Sequence, residues 1–259
     1  MTDSAADIGA DDHELAAWAA ASAGELLLDV RESGLAGREL KDAGDLAAHE
    51  LLMKLLAEHR PDDAVLSEEA HRGTASAHDR LETPRVWIID PLDGTREYSE
   101  PPREDWAVHV ALWERGKLVA GAVALPAMGV TLDTARPPEV PPATGTRPRL
   151  VVSRTRPPAF VEALAREIDG ELVPMGSAGA KAMSVVRDVS DAYVHAGGQY
   201  EWDSAAPVVV ARAAGLHTSR VDGSPLRYNQ NDVLLPDLVI CRPELAEPIL
   251  AFIREHGTD

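Results

Sequence analysis

One ten-residue segment constrains this chain more than any other. Residues 86–89 are four consecutive apolar residues, and they continue directly into the motif DPLDGT at residues 90–95. A short apolar run of this kind, bounded by turn residues, is typical of a buried strand. Carboxylates fixed at the end of such a strand can hold a hard cation against the core, and the Gly-Thr pair offers N–H groups and a hydroxyl to a phosphate. The segment therefore predicts a combined cation and phosphate site.

Length and composition restrict the class of protein. With 259 residues, the chain can bury a large core as one domain or as two closely packed subdomains. Its single cysteine, Cys241, excludes an intrachain disulfide and a cysteine-based metal cluster. No apolar run approaches the roughly 20 residues of a membrane helix, and the acidic N-terminus lacks the pattern of a signal peptide. We therefore expect a cytoplasmic protein.

The net charge of −18 argues against binding to nucleic acids and to anionic membranes. It would also repel a phosphorylated substrate. Bound divalent cations, helped by a local group such as Lys181, could reverse the potential inside one cleft. Most of the 43 acidic residues are expected to form a solvated surface.

The first third of the chain predicts two helices. Asp11 or Asp12 can cap the first, in which Leu15, Trp18, Ser22, Leu26 and Val30 follow at helical spacing. Glycines then indicate a polar loop through residue 44, and Asp45 can cap a second helix that ends near residues 60–61. Residues 65–67 predict a short strand, and residues 71–84 a surface loop.

The remainder divides into two patterns. Strands are predicted at 85–90, 107–113 and 118–125, and the turn signal at residues 114–116 makes the last pair an antiparallel hairpin. Strands joined in this way after two helices favour α+β layering over a βαβ nucleotide fold. Five prolines between residues 136 and 148 mark a boundary, after which strands and helices alternate. We expect subdomains at residues 1–145 and 146–259.

Acidic residues follow the predicted elements at four places, at Asp45, Glu68, the pair Asp90 and Asp93, and Asp203. Strand ends meet at one edge of a sheet, so separate segments can bring carboxylates to one point. Two Mg²⁺ ions held there could activate a water and stabilise the leaving oxygen of a phosphoryl transfer. A single exposed acid needs no such role, but Asp90 follows a core strand and is costly to bury without a partner.

Two similar motifs can be set aside. An EF-hand loop has acids at alternate positions, whereas Asp90 and Asp93 are three positions apart. Haloacid-dehalogenase phosphatases carry Asp-x-Asp-Gly-Thr, with the first aspartate as nucleophile, and the additional residue here changes that geometry. A covalent aspartyl-phosphate mechanism is therefore disfavoured.

The arrangement resembles the inositol monophosphatase superfamily, the lithium-sensitive phosphatases. Residues 90–95, preceded by Trp-Ile-Ile, match its first signature, and residues 67–69 stand where it has Gly-Glu-Glu. Residues 202–206, followed by a helix ending at Ala214-Gly215, match its second signature. All three motifs occur in the family's order and spacing, and the resemblance covers nearly the whole chain.

The resemblance implies a layered αβαβα sugar-phosphatase fold of the α+β class, with an antiparallel sheet in the N-terminal part. It implies Mg²⁺ as cofactor, with two or three ions, and Li⁺ and Ca²⁺ as inhibitors. The implied metal ligands are Glu68, Asp90, the carbonyl of Leu92, Asp93 and Asp203. The implied substrate contacts are Asp93, Gly94, Thr95, Ser177 and Lys181. Asp45 and Thr95, with Glu68, would promote direct attack of a water on phosphorus.

Finer motifs indicate one branch of the superfamily. Arg96-Glu97-Tyr98 looks like the Lys-Glu-Phe of the CysQ-type 3′(2′),5′-bisphosphate nucleotidases, and residues 223–229 also resemble that branch. The resemblance implies removal of the 3′-phosphate from adenosine 3′,5′-bisphosphate, with its sulfated relative as a further substrate. Inositol 1-phosphate and fructose 1,6-bisphosphate are rival substrates, and a non-catalytic nucleotide- or metal-binding protein is the alternative outside enzymes. Relatives are often dimers, so a homodimer is expected.

Several residues depart from the family pattern or allow a simpler interpretation. Asp45 lacks the family's preceding Val-Thr-x-x stretch, and Ser67 replaces the usual glycine. The nine histidines show no metal-ligand spacing. Arg154 and Arg156 could meet a second phosphate or remain on the surface. Lys181 alone is typical of a surface helix, and Trp106, Trp113 and Cys241 are expected in the core.

Overall fold

The computed structural model of the protein describes residues 11–69, 77–143, 145 and 147–258, with the backbone alone at residues 77–79. The helices of this described part are α1 Asp12–Arg31, α2 Gly37–His59, α3 Ala77–Glu82, α4 Thr95–Tyr98, α5 Ala159–Glu167, α6 Ala178–Val186, α7 Glu201–Ala213 and α8 Pro243–His256. Its strands are β1 Ala64–Ser67, β2 Arg85–Asp93, β3 Ala107–Glu114, β4 Lys117–Leu125, β5 Val130–Asp133, β6 Arg149–Ser153, β7 Glu171–Met175, β8 Ala192–Tyr200, β9 His217–Ser219 and β10 Leu234–Cys241.

The first sheet contains β1 to β5 in chain order. β1 runs parallel to β2, and every later neighbour is antiparallel. The predicted hairpin between β3 and β4 is confirmed, with Glu114 paired to Lys117. Its two turn residues, Arg115 and Gly116, have φ of 45° and 94°, and a two-residue turn with both residues left-handed matches the twist of the flanking strands.

The second sheet has the order β7-β6-β8-β10-β9. Its first three strands are parallel, and β10 runs antiparallel to both β8 and β9. Parallel neighbours need crossover connections, which α5 and α6 provide. This agrees with the alternating pattern predicted for the C-terminal part.

Three apolar cores stack the elements in five layers. α1 and α2 cover the outer face of the first sheet, α6 and α7 fill the space between the sheets, and α5 and α8 cover the outer face of the second. On β2, Trp87 and Ile89 face the first core while Val86 and Ile88 face the middle one. A strand buried on both faces must be apolar at every position, which explains the continuous run in the sequence. The predicted α+β class and αβαβα layering are confirmed.

The two sheets use separate stretches of chain, residues 64–133 and residues 149–241. The expected boundary at residue 145 falls between them, in a segment whose described residues belong to no helix or strand. The middle core is continuous across both sheets, because α7 packs against each of them. The division into two subdomains therefore stays a prediction.

The predicted start of the second helix is wrong. α2 begins at Gly37 after Ala36, so Asp45 lies inside the helix and does not cap it. Gly44 was interpreted as part of a loop, since glycine costs about 1 kcal/mol in a helix. In the fold, a Cβ on Gly44 would lie 2.8 Å from the ring of Tyr98. The close packing of that ring requires a glycine in the helix.

Other boundaries also differ. The loop predicted for residues 71–84 contains α3, while its first part lies outside the described residues. β5 was not predicted, and it pairs with β4 as an edge strand of the first sheet. Among the helices described, none combines the length and the apolar character that crossing a membrane requires.

Candidate active site

A bulge in β2 places Asp90 and Asp93 on the same face of the sheet. Side chains three positions apart on a regular strand point to opposite faces. Here Asp90 pairs with His109 and Asp93 with Ala107, so two residues of β2 oppose one residue of β3. Pro91, which has no N–H to give to the ladder, lies in the bulge, and the N–H of Leu92 donates to the Asp90 carboxylate at 3.1 Å. Both carboxylates consequently face the middle helix layer.

α7 adds the third carboxylate. Asp203 lies in the first turn of α7, where its side chain accepts a hydrogen bond of 2.7 Å from the N–H of Tyr200. Carboxylate oxygens of Asp90, Asp93 and Asp203 lie within 4.8 Å of one another. We call these three residues the acidic cluster. Two of the predicted motifs, 110 positions apart in sequence, thus meet at one point.

The carboxylates of the acidic cluster repel one another electrostatically. Burial, together with the charges of Asp93 and Glu68, raises the pKa of Asp90 well above its usual value. Burial and the charge of Asp93 raise the pKa of Asp203 to about 7. Both shifts mean that the folded protein disfavours negative charge on these groups unless a positive charge approaches.

Asp93 differs because the start of α6 binds it. Its carboxylate accepts hydrogen bonds from the Ser177 hydroxyl at 2.5 Å, the N–H of Ala178 at 3.2 Å and the N–H of Gly179 at 2.6 Å. N–H groups in the first turn of a helix have no partner within the helix and favour a negative charge. Although burial alone would raise it, these bonds and His109 hold the pKa of Asp93 below its usual value.

His109 is a site residue that the sequence analysis missed. It is fully buried on β3, with Nδ1 3.0 Å from the carbonyl oxygen of Trp202 and Nε2 3.3 Å from the Asp93 carboxylate. Both neighbours are acceptors, so this arrangement favours an imidazole that carries a hydrogen on each ring nitrogen. Burial lowers the pKa of His109, but Asp93 and the Trp202 carbonyl outweigh it and raise the pKa overall. A lone histidine within the apolar strand at residues 107–113 was the available signal.

Gly94 and Ser177 bring β2 and α6 into contact. Gly94 has φ of 82°, and a Cβ there would lie 2.9 Å from the Cβ of Ser177. Ser177 itself has φ of 46°, which is strained for a residue with a side chain. Its neighbour Gly176 donates its N–H to the carboxylate of Asp105 at 2.6 Å. The turn before α6 is thus fixed by its contact with Gly94 and by its hydrogen bond to Asp105. Gly94 directly precedes Thr95, the first residue of α4.

Neither Glu68 nor Asp45 belongs to the group of carboxylates within 4.8 Å. Glu68 follows β1, next to β2, and its charge contributes to the raised pKa of Asp90 and Asp203. Asp45 lies on α2, which packs against α4, and its charge acts on Tyr98. Ser67 is accommodated in place of glycine, because its hydroxyl lies 3.1 Å from Nδ1 of His49.

A cavity of about 360 Å³ lies beside the start of α6. Lys181, Arg156 and His195 are among its lining residues. Lys181 is buried, with its ammonium group 2.7 Å from the carbonyl oxygen of Ser177 and 5.3 Å from the ring of Tyr193. Burial lowers the pKa of Lys181 although several aspartates oppose the shift. The surface position considered for this lysine is therefore wrong.

Comparison with known proteins identifies the family. The sequence model of the Inositol monophosphatase family matches residues 12–138 and 143–258. The chain belongs to this family. Among curated members, a 3′-phosphoadenosine 5′-phosphate phosphatase from Mycobacterium leprae is 51% identical over 258 residues, covering 94% of each chain. A 3′(2′),5′-bisphosphate nucleotidase CysQ from Escherichia coli is 33% identical over 204 residues, covering 74% of this chain and 81% of that protein.

A solved structure of the family has the same fold. CysQ from Bacteroides thetaiotaomicron superposes with a TM-score of 0.76 at 25% identity, covering 89% of this chain and 97% of that one. The likeness over most of both chains agrees with the layered fold of this protein. The predicted family is confirmed.

The two segments that resemble the nucleotidase branch, residues 96–98 and 223–229, pair with residues of other elements. Glu97 is buried and forms an ion pair with Arg154, which also contacts Glu100, so Arg154 joins α4 to the end of β6. Arg156, by contrast, reaches the cavity. Asn229 accepts from the guanidinium of Arg80 on α3 at 2.5 Å. The nucleotidase-like segments therefore connect elements around the site.

The remaining core predictions have clear outcomes. Trp106 and Cys241 are fully buried, as expected. Trp113 is only partly buried, although it packs against the middle core. Burial raises the pKa of the Cys241 thiol to about 12, which leaves it protonated and unreactive near neutral pH.

The acidic cluster fits a hard cation. All its donors are carboxylate oxygens, the ligand type that Mg²⁺ and Ca²⁺ prefer. A divalent ion would attract the carboxylates of Asp90 and Asp203 and so offset the repulsion between them. Asp93 is already fixed by α6 and His109, so it presents a carboxylate whose position is set before any ion arrives.

Proposed function

We propose that this protein is a Mg²⁺-dependent phosphomonoesterase that hydrolyses the 3′-phosphate of adenosine 3′,5′-bisphosphate. The observation that carries the proposal is the convergence of Asp90, Asp93 and Asp203 within 4.8 Å, directly beside the start of α6. The Mycobacterium leprae relative, at 51% identity, is named for this substrate. The acidic cluster offers a site for the cation, and the cavity beside α6 offers space for the substrate.

The cavity supports a substrate with two phosphates. Lys181 links the acidic cluster to the cavity, because the charges of Asp93 and Asp203 act on it and it lines the cavity with Arg156 and His195. We propose that a nucleotide with one phosphate at the acidic cluster places its other end in this cavity. Arginine and lysine bind phosphate through charge-assisted hydrogen bonds. An overall charge of −18 makes such a local positive group necessary for an anionic substrate. Inositol 1-phosphate offers no second phosphate to these side chains.

The proposed reaction needs little from the protein beyond placement and proton transfer. Glu68, Asp90, Asp93, the Leu92 carbonyl and Asp203 would hold Mg²⁺, which supplies charge neutralisation and activation of water when bound. We propose that Thr95 and Asp45 orient the attacking water and accept its proton. The water oxygen forms a bond to phosphorus, the bond from phosphorus to the ribose 3′-oxygen breaks, and that oxygen takes a proton. Gly94, Thr95 and Ser177 would contact the phosphate.

A substrate panel tests the proposal. Phosphate release with Mg²⁺ should be measured for adenosine 3′,5′-bisphosphate, its 5′-phosphosulfate analogue, inositol 1-phosphate and fructose 1,6-bisphosphate. We expect the highest kcat/KM for adenosine 3′,5′-bisphosphate. Lys181→Met should raise KM for adenosine 3′,5′-bisphosphate more than KM for inositol 1-phosphate, because inositol 1-phosphate has no second phosphate for Lys181 to bind.

Each alternative has its own outcome. Preference for inositol 1-phosphate or fructose 1,6-bisphosphate would replace the substrate and keep the chemistry. Nucleotide binding by calorimetry without phosphate release would make the protein a non-catalytic binder. Full activity in Asp93→Asn would show the proposed metal assignment to be wrong. Inhibition by Li⁺ and Ca²⁺ is part of the proposal, while the homodimer and the cytoplasmic location stay predictions.

A further inference from the structure

His109 connects the two sequence motifs that form the acidic cluster. Its Nε2 lies 3.3 Å from the Asp93 carboxylate in the first motif. Its Nδ1 lies 3.0 Å from the carbonyl oxygen of Trp202, the residue directly before Asp203 in the second. On the neighbouring strand, it is also the paired residue of Asp90. The buried His109 ring therefore contacts Asp93 itself, and it lies beside the backbone of Asp90 and next to the residue that precedes Asp203.

The space for this ring is created by a glycine. A Cβ on Gly179 would lie 2.0 Å from Nε2 of His109 and 3.1 Å from the Asp93 carboxylate. Any side chain at position 179 would displace the ring from Asp93. The same glycine donates its N–H to Asp93 at 2.6 Å. The packing thus brings imidazole, helix terminus and carboxylate together at one point.

The contacts to Asp93 come from two directions. α6 binds one side of the carboxylate through Ser177, Ala178 and Gly179, while the imidazole approaches from β3. Hydrogen bonds on one side and a close imidazole on the other fix the orientation of the carboxylate, which one side alone would leave free to rotate. An oriented carboxylate binds a cation more tightly because less conformational freedom is lost on binding.

We infer that His109 is a positioning residue, which holds the Asp93 carboxylate in its ligating orientation and connects it to Trp202 and Asp203 in the first turn of α7. It touches neither the substrate nor the reacting atoms. The inference rests on the proposed metal-dependent function, since it concerns the affinity of the acidic cluster for the cation. Partners that orient metal ligands typically change metal affinity or activity by about 10- to 100-fold when removed.

Two amide substitutions separate positioning from packing. In His109→Gln, the amide nitrogen can reach the place of Nε2 and donate to Asp93. In His109→Asn, the shorter amide can bond to the Trp202 carbonyl but falls short of Asp93. We expect His109→Gln to bind Mn²⁺ within about 3-fold of the unaltered protein, and His109→Asn to bind it about 10- to 100-fold more weakly.

The measurement is calorimetric titration of the metal-free protein with Mn²⁺, which requires no substrate. Thermal unfolding in EDTA checks that each variant retains a cooperative fold. His217→Asn is the matched control, since it makes the same change on β9, in the second sheet, and should leave Mn²⁺ affinity unchanged. In activity assays, His109→Asn should need more Mg²⁺ for half-maximal rate, with a smaller change in KM for substrate.

The outcomes distinguish this inference from the proposed function. Equal Mn²⁺ affinity in His109→Asn and the unaltered protein would overturn it, as would equal weakening in both amide variants. Gly179→Ala offers a second test that retains the histidine. It should weaken Mn²⁺ binding, and wild-type affinity there would also contradict the inference. Metal binding without hydrolysis of any substrate would refute only the proposed function.

Discussion

The acidic cluster and a second pair of aspartates, Asp188 and Asp191, have opposite electrostatics; Asp191 is buried and Asp188 partly buried. In this second pair, each aspartate is bonded by the guanidinium groups of both Arg149 and Arg242. We call these four residues the ion-pair cluster. Burial would raise the pKa of Asp191, but the two arginines outweigh it and lower the pKa to about 2. In the acidic cluster, the pKa values of Asp90 and Asp203 are raised instead.

The difference indicates what each cluster does. The ion-pair cluster is neutralised by its own chain, and Arg242 also donates to the carbonyl oxygen of Pro141, so it fastens the proline-rich segment to the second sheet. The acidic cluster has three carboxylates and one imidazole neighbour, and we propose that a cation from solution completes it. Burial of a carboxylate therefore signals stability in one place and ligand binding in the other.

The largest effect is expected when the acidic cluster loses a charge. Asp90→Asn should lower kcat for adenosine 3′,5′-bisphosphate by about 1,000-fold or more, because it removes a proposed metal ligand. The free energy of unfolding without metal should not decrease, since one repelling charge is gone. Phosphate-release assays and urea unfolding in EDTA measure the two quantities. A large loss of stability without loss of activity would reverse the proposed contrast.

The matching change in the ion-pair cluster should act on stability alone. Arg242→Met leaves Asp188 and Asp191 with one arginine between them, and we expect a loss of about 3 kcal/mol in the free energy of unfolding. The kcat of the folded variant should stay at the wild-type value. Arg136→Met is the control, because its pair with Asp133 leaves the arginine 86% exposed and should change stability by less than about 0.5 kcal/mol.

Metal binding should stabilise the protein only through the acidic cluster. At Mg²⁺ concentrations of about 100 times Kd, a ligand that binds the folded state alone adds about 2.7 kcal/mol. Thermal unfolding with Mg²⁺ and with EDTA measures this gain. Arg242→Met should retain it and Asp90→Asn should lose most of it. An equal gain in both variants would place the stabilising ion elsewhere.

The smallest effect concerns acid. The pKa of Asp191 is lowered from 3.8 to about 2 in the folded state, so its ion pairs stabilise the protein fully above pH 4. This contribution, about 2 kcal/mol, should be lost as the pH falls from about 4 to about 2. Urea unfolding between pH 2 and pH 6 measures it. Asp191→Asn should flatten this part of the profile, and an unchanged profile would contradict the lowered pKa.

Sequence alone was sufficient for the family, for most strands and for three residues of the acidic cluster. These features are local. The apolar run of β2, the turn at Arg115-Gly116 and the DPLDGT motif each depend on neighbours within a few positions. Residues fixed by short-range chemistry can be identified without knowing what packs against them.

Helix faces and boundaries required the tertiary structure. Leu15, Trp18, Leu26 and Val30 predicted the buried stripe of α1, but of these only Leu15 is fully buried. Alanines form most of the buried face, because small side chains let the helix approach the sheet closely. Gly44 likewise lies inside α2, where a glycine is required because the Tyr98 ring occupies the space that a Cβ would fill.

The completed site combines both kinds of information. The sequence determined which carboxylates are present, since DPLDGT and Trp-Asp are contiguous motifs. The tertiary structure decided how they act. A bulge in β2 places Asp90 and Asp93 on one face of the sheet. Residues of α6 and His109 contact the Asp93 carboxylate. Arg154 pairs with Glu97 and does not face the cavity. These contacts join residues far apart in the chain, and their energies depend on distance and burial, which no local pattern contains.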